Sequence, residues 1–288
     1  MRLGRYAFVL LIPAIPLSQA RLDRSRDASA GAGRALYLRS GDEVRRLFPG
    51  FEGLMADVYW LRTVQYYGEQ RAFAVEKHYE LLRPLIDITT SLDPRLELAY
   101  RYGAIFLSEP APFGAGRPLE GVEILERGAR ALPHSWRVRW DLGSLWYFFL
   151  GDQRRAAQAI LEASKVEGAP YWLYSLAGSI LVKEDRVVAR EIWRRQYENG
   201  EGVIKENAAY HLQVLDALDT RDALSALVKR FKEKQGRPPG SLRELVSAGL
   251  TQSIPSDPTG AEFGYDPQTG KVQIARASRL WRSKYEGE

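Results

Sequence analysis

The chain has 288 residues, 45% hydrophobic and 27% charged, enough to bury a substantial core and too apolar for general disorder. It has no cysteine, which excludes disulfide staples, thiolate metal sites, a cysteine nucleophile and a lipid-modified cysteine anchor. The net charge of +5 sits at the ends, +4 within residues 1–35 and +2 from Arg276 onward, and the remaining body of −1 excludes a phosphate-tracking groove for nucleic acid.

At the N-terminus, Arg2 and Arg5 precede an uncharged apolar stretch at 6–17, and Ser18-Gln19-Ala20 places small residues where a leader peptidase would cut. The stretch is shorter than the roughly 20 apolar residues of a membrane-spanning helix, and Pro13 and Pro16 interrupt it. The pattern predicts a secretory signal peptide. An uncleaved anchor in the inner membrane is the alternative, with residues 21–39 as a flexible basic linker, and a buried N-terminal segment is the third reading. The first two give a periplasmic or otherwise extracytoplasmic address.

Ser40-Gly41-Asp42-Glu43 is a capping box that opens a short helix ending at Pro49-Gly50. A second helix is predicted over 51–68. Leu54, Met55, Val58, Leu61, Val64 and Gln65 fall at helical spacing, and Tyr59, Trp60, Tyr66 and Tyr67 widen the apolar belt, so this helix is expected to pack from more than one side. A third is predicted over 75–92 with a kink at Pro84. Asp93-Pro94 is read as N-cap and first residue of a fourth, ending near Leu107. A Gly/Pro-rich loop over 110–118 leads to a fifth helix, 119–132, ended by Pro133.

From Ser135 the helices pair at a regular interval. Aromatic-rich helix starts near Trp136, Tyr171 and Ile204 lie about 34 residues apart. Trp140, Ser144, Tyr147, Gly151-Asp152, Ala156 and Ala163 alternate large aromatic and small residues, as close-packed helix pairs require. In the next pair, 171–198, Ala177-Gly178 stands at the close-approach position and Glu184-Asp185 at the turn. A third pair is predicted over 204–218 and 220–234. On these residues the chain resembles the tetratricopeptide-repeat superfamily over roughly 50–234, which implies an α-α superhelix of helix hairpins that holds other proteins. A single domain is therefore expected over 40–234.

After Gly236-Arg237-Pro238-Pro239-Gly240 the texture changes. Ser241-Leu242-Arg243-Glu244 reads as a second capping box, opening a short helix closed by Gly249. Strands are predicted at 263–265 and 271–275 around the turn Asp266-Pro267-Gln268-Thr269-Gly270. Residues 235–276 thus form a small α+β appendage, with 277–288 a basic tail. The run from Pro238-Pro239 through Ser241-Leu242, Ile254-Pro255, Asp257-Pro258 and Tyr265-Asp266-Pro267 resembles the C-terminal segment of pseudopilins and other type IV pilin-like proteins. Thr259 stands where that family carries an aromatic, and the family's N-terminal methylated helix is absent, so the likeness is confined to the appendage. In texture the whole chain resembles envelope-associated helical-repeat proteins of bacteria.

Chemistry-bearing motifs are sparse. His78, His134 and His211 occur in no zinc-binding spacing, and no phosphate-binding loop, dinucleotide turn or nucleophile elbow is present. No cofactor is expected. Asp57 interrupts an aromatic helix and is read as an ion-pair partner of Arg62, Arg95 or Arg101, or as a ligand contact. Asp257 and Asp266 are the candidates for a calcium cage, which the pilin-like resemblance implies, against a plain role in turn capping. Trp60, Trp136, Trp140, Tyr147, Trp172 and Trp193 are the candidates to line a partner-binding face, against a role in the core. The tail Arg279-Leu280-Trp281-Arg282 is read as a solvated terminus or a contact to anionic lipid.

The expected function is a non-enzymatic adaptor that binds other envelope proteins, in the assembly of a pilus or secretion machine. The alternatives are a helical enzyme or binding protein for a periplasmic glycan or peptide, with Asp57 paired to Glu97 or Asp141, and a structural subunit of a large membrane-associated complex.

Overall fold

The computed structural model describes residues 40–74 and 76–282. The N-terminal leader or anchor, its linker and the last six residues of the basic tail lie outside the described residues. Within them the protein is mainly α, with eleven helices and one two-stranded antiparallel sheet. The chain divides into two compact units, Met1–Ala131 and Leu132–Glu288, and the expected repeat region contributes to both.

In the first unit, the Ser40 hydroxyl accepts the Glu43 amide at 3.2 Å and starts α1, Gly41–Leu47. Helix α2, Glu52–Ala72, buries Ala56, Tyr59, Thr63, Tyr66 and Tyr67 against α3, Leu82–Leu92. Its opposite side is bare: Phe51, Leu54 and Leu61 are 60%, 59% and 60% exposed. Helices α4, Glu97–Ser108, and α5, Pro118–Ala131, continue the series, each packed on its predecessor. The core between them is Leu85, Ile86, Tyr100, Leu107, Ile124 and Leu125, all fully buried.

Two expected boundaries shift here for local reasons. Helix α3 begins at Leu82 rather than 75, because the segment before it is tied elsewhere. Lys77 donates to the carbonyls of Gln70 and Arg71 at the end of α2, the His78 amide donates to Gln70 Oε1, and Tyr66 donates to the His78 carbonyl. Pro84 therefore stands in the first turn, where its missing N–H costs no helical bond, and produces no kink. Asp93 ends α3 instead of capping α4: its carboxylate accepts the Arg95 amide in a tight turn, and α4 starts at Glu97.

The second unit opens with α6, Trp136–Phe148, whose N-cap Ser135 accepts the Val138 amide, and α7, Gln153–Ser164, capped by Asp152. Helices α8, Trp172–Glu184, and α9, Arg186–Asn199, form the next hairpin, with Asp185 as the single linking residue and as the cap of α9. Ala156, Ala163 and Ala177 are fully buried, as the repeat pattern requires. The closest approach in the first hairpin is at Gly143, not at the neighbouring Ser144. A Cβ on Gly143 would lie 2.6 Å from Ile160 and 3.0 Å from the Ala156 carbonyl oxygen, whereas the Ser144 hydroxyl turns back to the Trp140 carbonyl. Gly178 plays the same part in the second hairpin, where a Cβ would lie 2.9 Å from Ile192 and from the Trp193 ring. Gly143→Ala is expected to destabilise the unit by about 1–3 kcal/mol through overpacking, despite alanine's advantage of about 1 kcal/mol in an unconstrained helix. A urea midpoint at or above that of the parent chain would show that the two helices have room.

The third expected hairpin is one helix, α10, Gly202–Gln235, of 34 residues. No glycine or proline interrupts it between Val203 and Gln235. Its first half buries Ala208, Val214, Leu215 and Leu218 and packs on α9; its second half buries Leu224, Val228 and Phe231 and supports the C-terminal elements. Across α9 and α10, Arg186 pairs with Asp219 and Asp222, and Arg190 pairs with Asp216 and Asp219.

The appendage comprises α11, Arg243–Ser247, and strands β1, Gly264–Asp266, and β2, Lys271–Gln273. The register sets Tyr265 opposite Val272, and Val272 and Ile274 are buried. The expected capping box at Ser241 does not form. Leu242 is the N-cap without a side-chain bond, and the Glu244 carboxylate is taken by Arg237 at 3.1 Å.

Candidate functional site

The sequence candidates do not form one surface. Trp136 and Trp140 lie one turn apart on α6, and Trp172 opens α8, the first helix of the next hairpin. Trp140 meets Trp172 edge to face, with ring centroids 5.2 Å apart and planes at 85°. That geometry sets the positive edge of one ring against the negative face of the other. The Arg137 guanidinium lies 4.6 Å from the Trp136 ring centre. Trp172 keeps 41% of its surface exposed and Tyr171, just before it, 70%. Three candidates are thus brought together on the opening helices of consecutive hairpins, with Tyr171 as a fourth aromatic that the sequence reading left out. Its signal was the loop residue Pro170 before it, which places Tyr171 at the exposed entry to α8.

The other candidates fall elsewhere. Tyr147 is exposed at the far end of α6, edge to face with Phe148 at 5.0 Å. Trp60 belongs to the first unit, where its ring lies parallel to Phe106 at 6.2 Å. Trp193 is a core residue, fully buried, so it offers no surface to a partner. Its ring stacks on His211 at 3.9 Å and 8°, and its indole N–H has no hydrogen-bond partner among the described residues.

Asp57 is exposed on α2 and forms none of the expected ion pairs. Arg62 lies over the Tyr59 ring, Arg95 beside Asp93, and Arg101 beside Glu97 at 3.4 Å. Glu97 is therefore already held within its own helix, and Asp141, the other acid considered, is buried in α6. His78 lies between Glu76 and Glu80 on the segment before α3, and His134 is exposed. A groove of about 500 Å³ runs beside α9, lined by Arg186, Val188, Arg190, Glu191, Arg194 and Asp219. The aspartates of α10 already hold Arg186 and Arg190, which leaves no unbalanced positive charge there for an anion.

Asp257 is buried at the base of the appendage. One carboxylate oxygen accepts the Thr259 and Ala261 amides and the Thr259 hydroxyl, and the other accepts the Ser278 hydroxyl. Burial pushes its pKa up, but the Ser278 and Thr259 hydroxyls and the two amides outweigh it and hold the carboxyl below the usual aspartate range. Every one of these partners is a donor, and a cation needs those oxygens free. Asp266 is exposed and closes its own turn on Gln268 and Thr269. The two carboxylates share no partner, and among the described residues no group of three or more His, Cys, Asp or Glu converges as for a metal ion. The Asp257 bond to Ser278 also fixes the tail. Leu280 is fully buried and Arg282 lies 5.4 Å from the Tyr210 ring, so the tail is docked as far as 282 rather than solvated.

No family model, curated protein or solved structure matches the chain. Among the described residues, the aromatic face of α6 and α8 is the one place where several sequence candidates meet with exposed ring surface. Aromatic edges and faces with an adjacent arginine suit apolar and aromatic side chains of a peptide or protein. No described helix is long and apolar enough to cross a membrane.

Proposed function

We propose that the protein is a non-enzymatic adaptor of the cell envelope that holds a partner protein on the aromatic face of its second unit, in the assembly of a pilus or secretion machine. The observation that carries the reading is the Trp140–Trp172 contact, which joins two consecutive hairpins while Trp172 and Tyr171 keep exposed surface. Rigid aromatic anchors on a fixed scaffold are the residues that dominate protein interfaces. The repeat-like pattern from Trp140 to Ala163 supports the class of function, and the pilin-like appendage and the N-terminal leader pattern support the address.

The test is in-cell photocrosslinking from a photoreactive residue at position 171, followed by mass spectrometry. Envelope proteins are the expected products, and their yield should fall at least about tenfold when Trp140 and Trp172 are both changed to alanine. Recovery of soluble cytoplasmic proteins alone overturns the reading.

A further inference from the structure

Helix α2 has two apolar sides. Ala56, Tyr59, Thr63, Tyr66 and Tyr67 face the core of the first unit. Phe51, Leu54, Val58, Leu61, Gln65 and Gly68 occupy the opposite side, at alternating spacings of three and four. Phe51, Leu54 and Leu61 are each about three-fifths exposed, and Gln65 is exposed as well. A Cβ on Gly68 would meet nothing within 4 Å. The spacing is that of a coiled-coil seam, with Val58 and Gln65 at one core position and Leu54 and Leu61 at the other.

We infer that this seam pairs with the same seam of a second copy of the chain, the two α2 helices running parallel and in register. Charge selects the partner. In a parallel pair the position before Val58 or Gln65 of one helix meets the position five residues on in the other, which sets Asp57 against Arg62 of the second copy, twice by symmetry. Asp57 is exposed and has no ion pair among the described residues, and Arg62, which lies over the Tyr59 ring, is on the flank that faces it. The flanking pair one heptad on is Val64 against Glu69, which carries no like-charge clash. Gln65 selects the orientation. In a parallel pair its carboxamide meets its own copy and can hydrogen-bond to it, whereas an antiparallel pair would set it against Leu54 and leave it unsatisfied. A branched residue at one core position with leucine at the other is the combination that favours two strands.

Sedimentation of the full chain is expected to give twice the mass of one copy, and Leu61→Arg the mass of a single copy with an unchanged circular dichroism spectrum. Asp57→Arg is expected to weaken pairing about tenfold, and combining it with Arg62→Asp to restore most of the loss. Because the chain has no cysteine, Leu61→Cys reports directly whether the seam is the interface, and the Asp57–Arg62 charge exchange reports the parallel orientation. Mild oxidation should link two copies through position 61, while Val187→Cys, on the exposed flank of α9, should not link. A single copy at all concentrations up to about 100 μM, well above the Kd range of specific protein dimers, overturns the inference. So does pairing that survives Leu61→Arg, or a failure of Leu61→Cys to link. A chain that stays single but binds vesicles containing anionic phospholipid, and loses that binding with Leu61→Arg, reassigns the seam to a lipid surface.

Discussion

Trp193→Ala is expected to lower the unfolding free energy of the second unit by about 3–5 kcal/mol, the cost of truncating a fully buried large aromatic. The ring fills the space that Gly178 leaves open on α8 and stacks on His211 of α10, so its removal loosens α9 from both neighbours at once. Trp193→Phe separates packing from polarity. It keeps an aromatic ring at the stacking distance and deletes an indole N–H that is buried without a partner among the described residues, a group whose burial itself costs about 1–3 kcal/mol. The phenylalanine variant is therefore expected to retain most of the stability that the alanine variant loses. Urea denaturation followed by circular dichroism measures both. An alanine variant within about 1 kcal/mol of the parent would show that the ring is not part of the core.

Asp257→Ala is expected to cost about 3 kcal/mol and to free the tail, because hydrogen bonds to a charged acceptor contribute about 1.5–3 kcal/mol each and do not add fully. Two hydroxyls and two amides lose their acceptor together. Limited proteolysis should then cut near Arg276 and Arg279, which Ser278 and Leu280 otherwise hold in place. The pH dependence has a definite sign. The folded carboxyl titrates below its unfolded value of about 3.9, so its contribution is fully present above that pH and is lost as pH falls through the folded value. Acid should release the tail of the parent chain in that window, and the alanine variant should show no such step. A proteolysis pattern independent of Asp257 would mean that Leu280 alone anchors the tail.

The local signals in the sequence translate into structure in part. Of the three helix caps read from the sequence, Ser40 forms while Asp93 and Ser241 do not; Ser135 and the turn residues Asp152 and Asp185 cap the helices that follow them, and the buried alanines of the first hairpin fall where a close-packed pair needs them. What was not legible depended on distant partners. The segment before α3 has helical spacing but gives its polar groups to the end of α2. In α10, Asp219-Thr220 resembles the start of a new helix because the buried stripe changes face there. Val214, Leu215 and Leu218 face α9, while Leu224, Val228 and Phe231 lie on another side. A change of packing partner along one helix looks, in sequence, like a change of helix. The aromatic candidates show the same limit. Spacing places Trp140 and Trp193 equally on helices, and only the tertiary contacts leave the first beside Trp172 and bury the second. The bare side of α2 was half legible, in that its aromatic and aliphatic residues fit more than one packed face, but which face the first unit covers is decided by α3.

The unbroken α10 has a mechanical consequence. At about 1.5 Å per residue it is a rod of about 50 Å, with the last hairpin clamped to one half and the appendage seated on the other. No flexible tether separates the two, so a load or ligand that tilts either end displaces the opposite end by a comparable amount. The aromatic face and the C-terminal module therefore move as the two arms of one lever, and a partner that grips both would sense the distance between them as a fixed length.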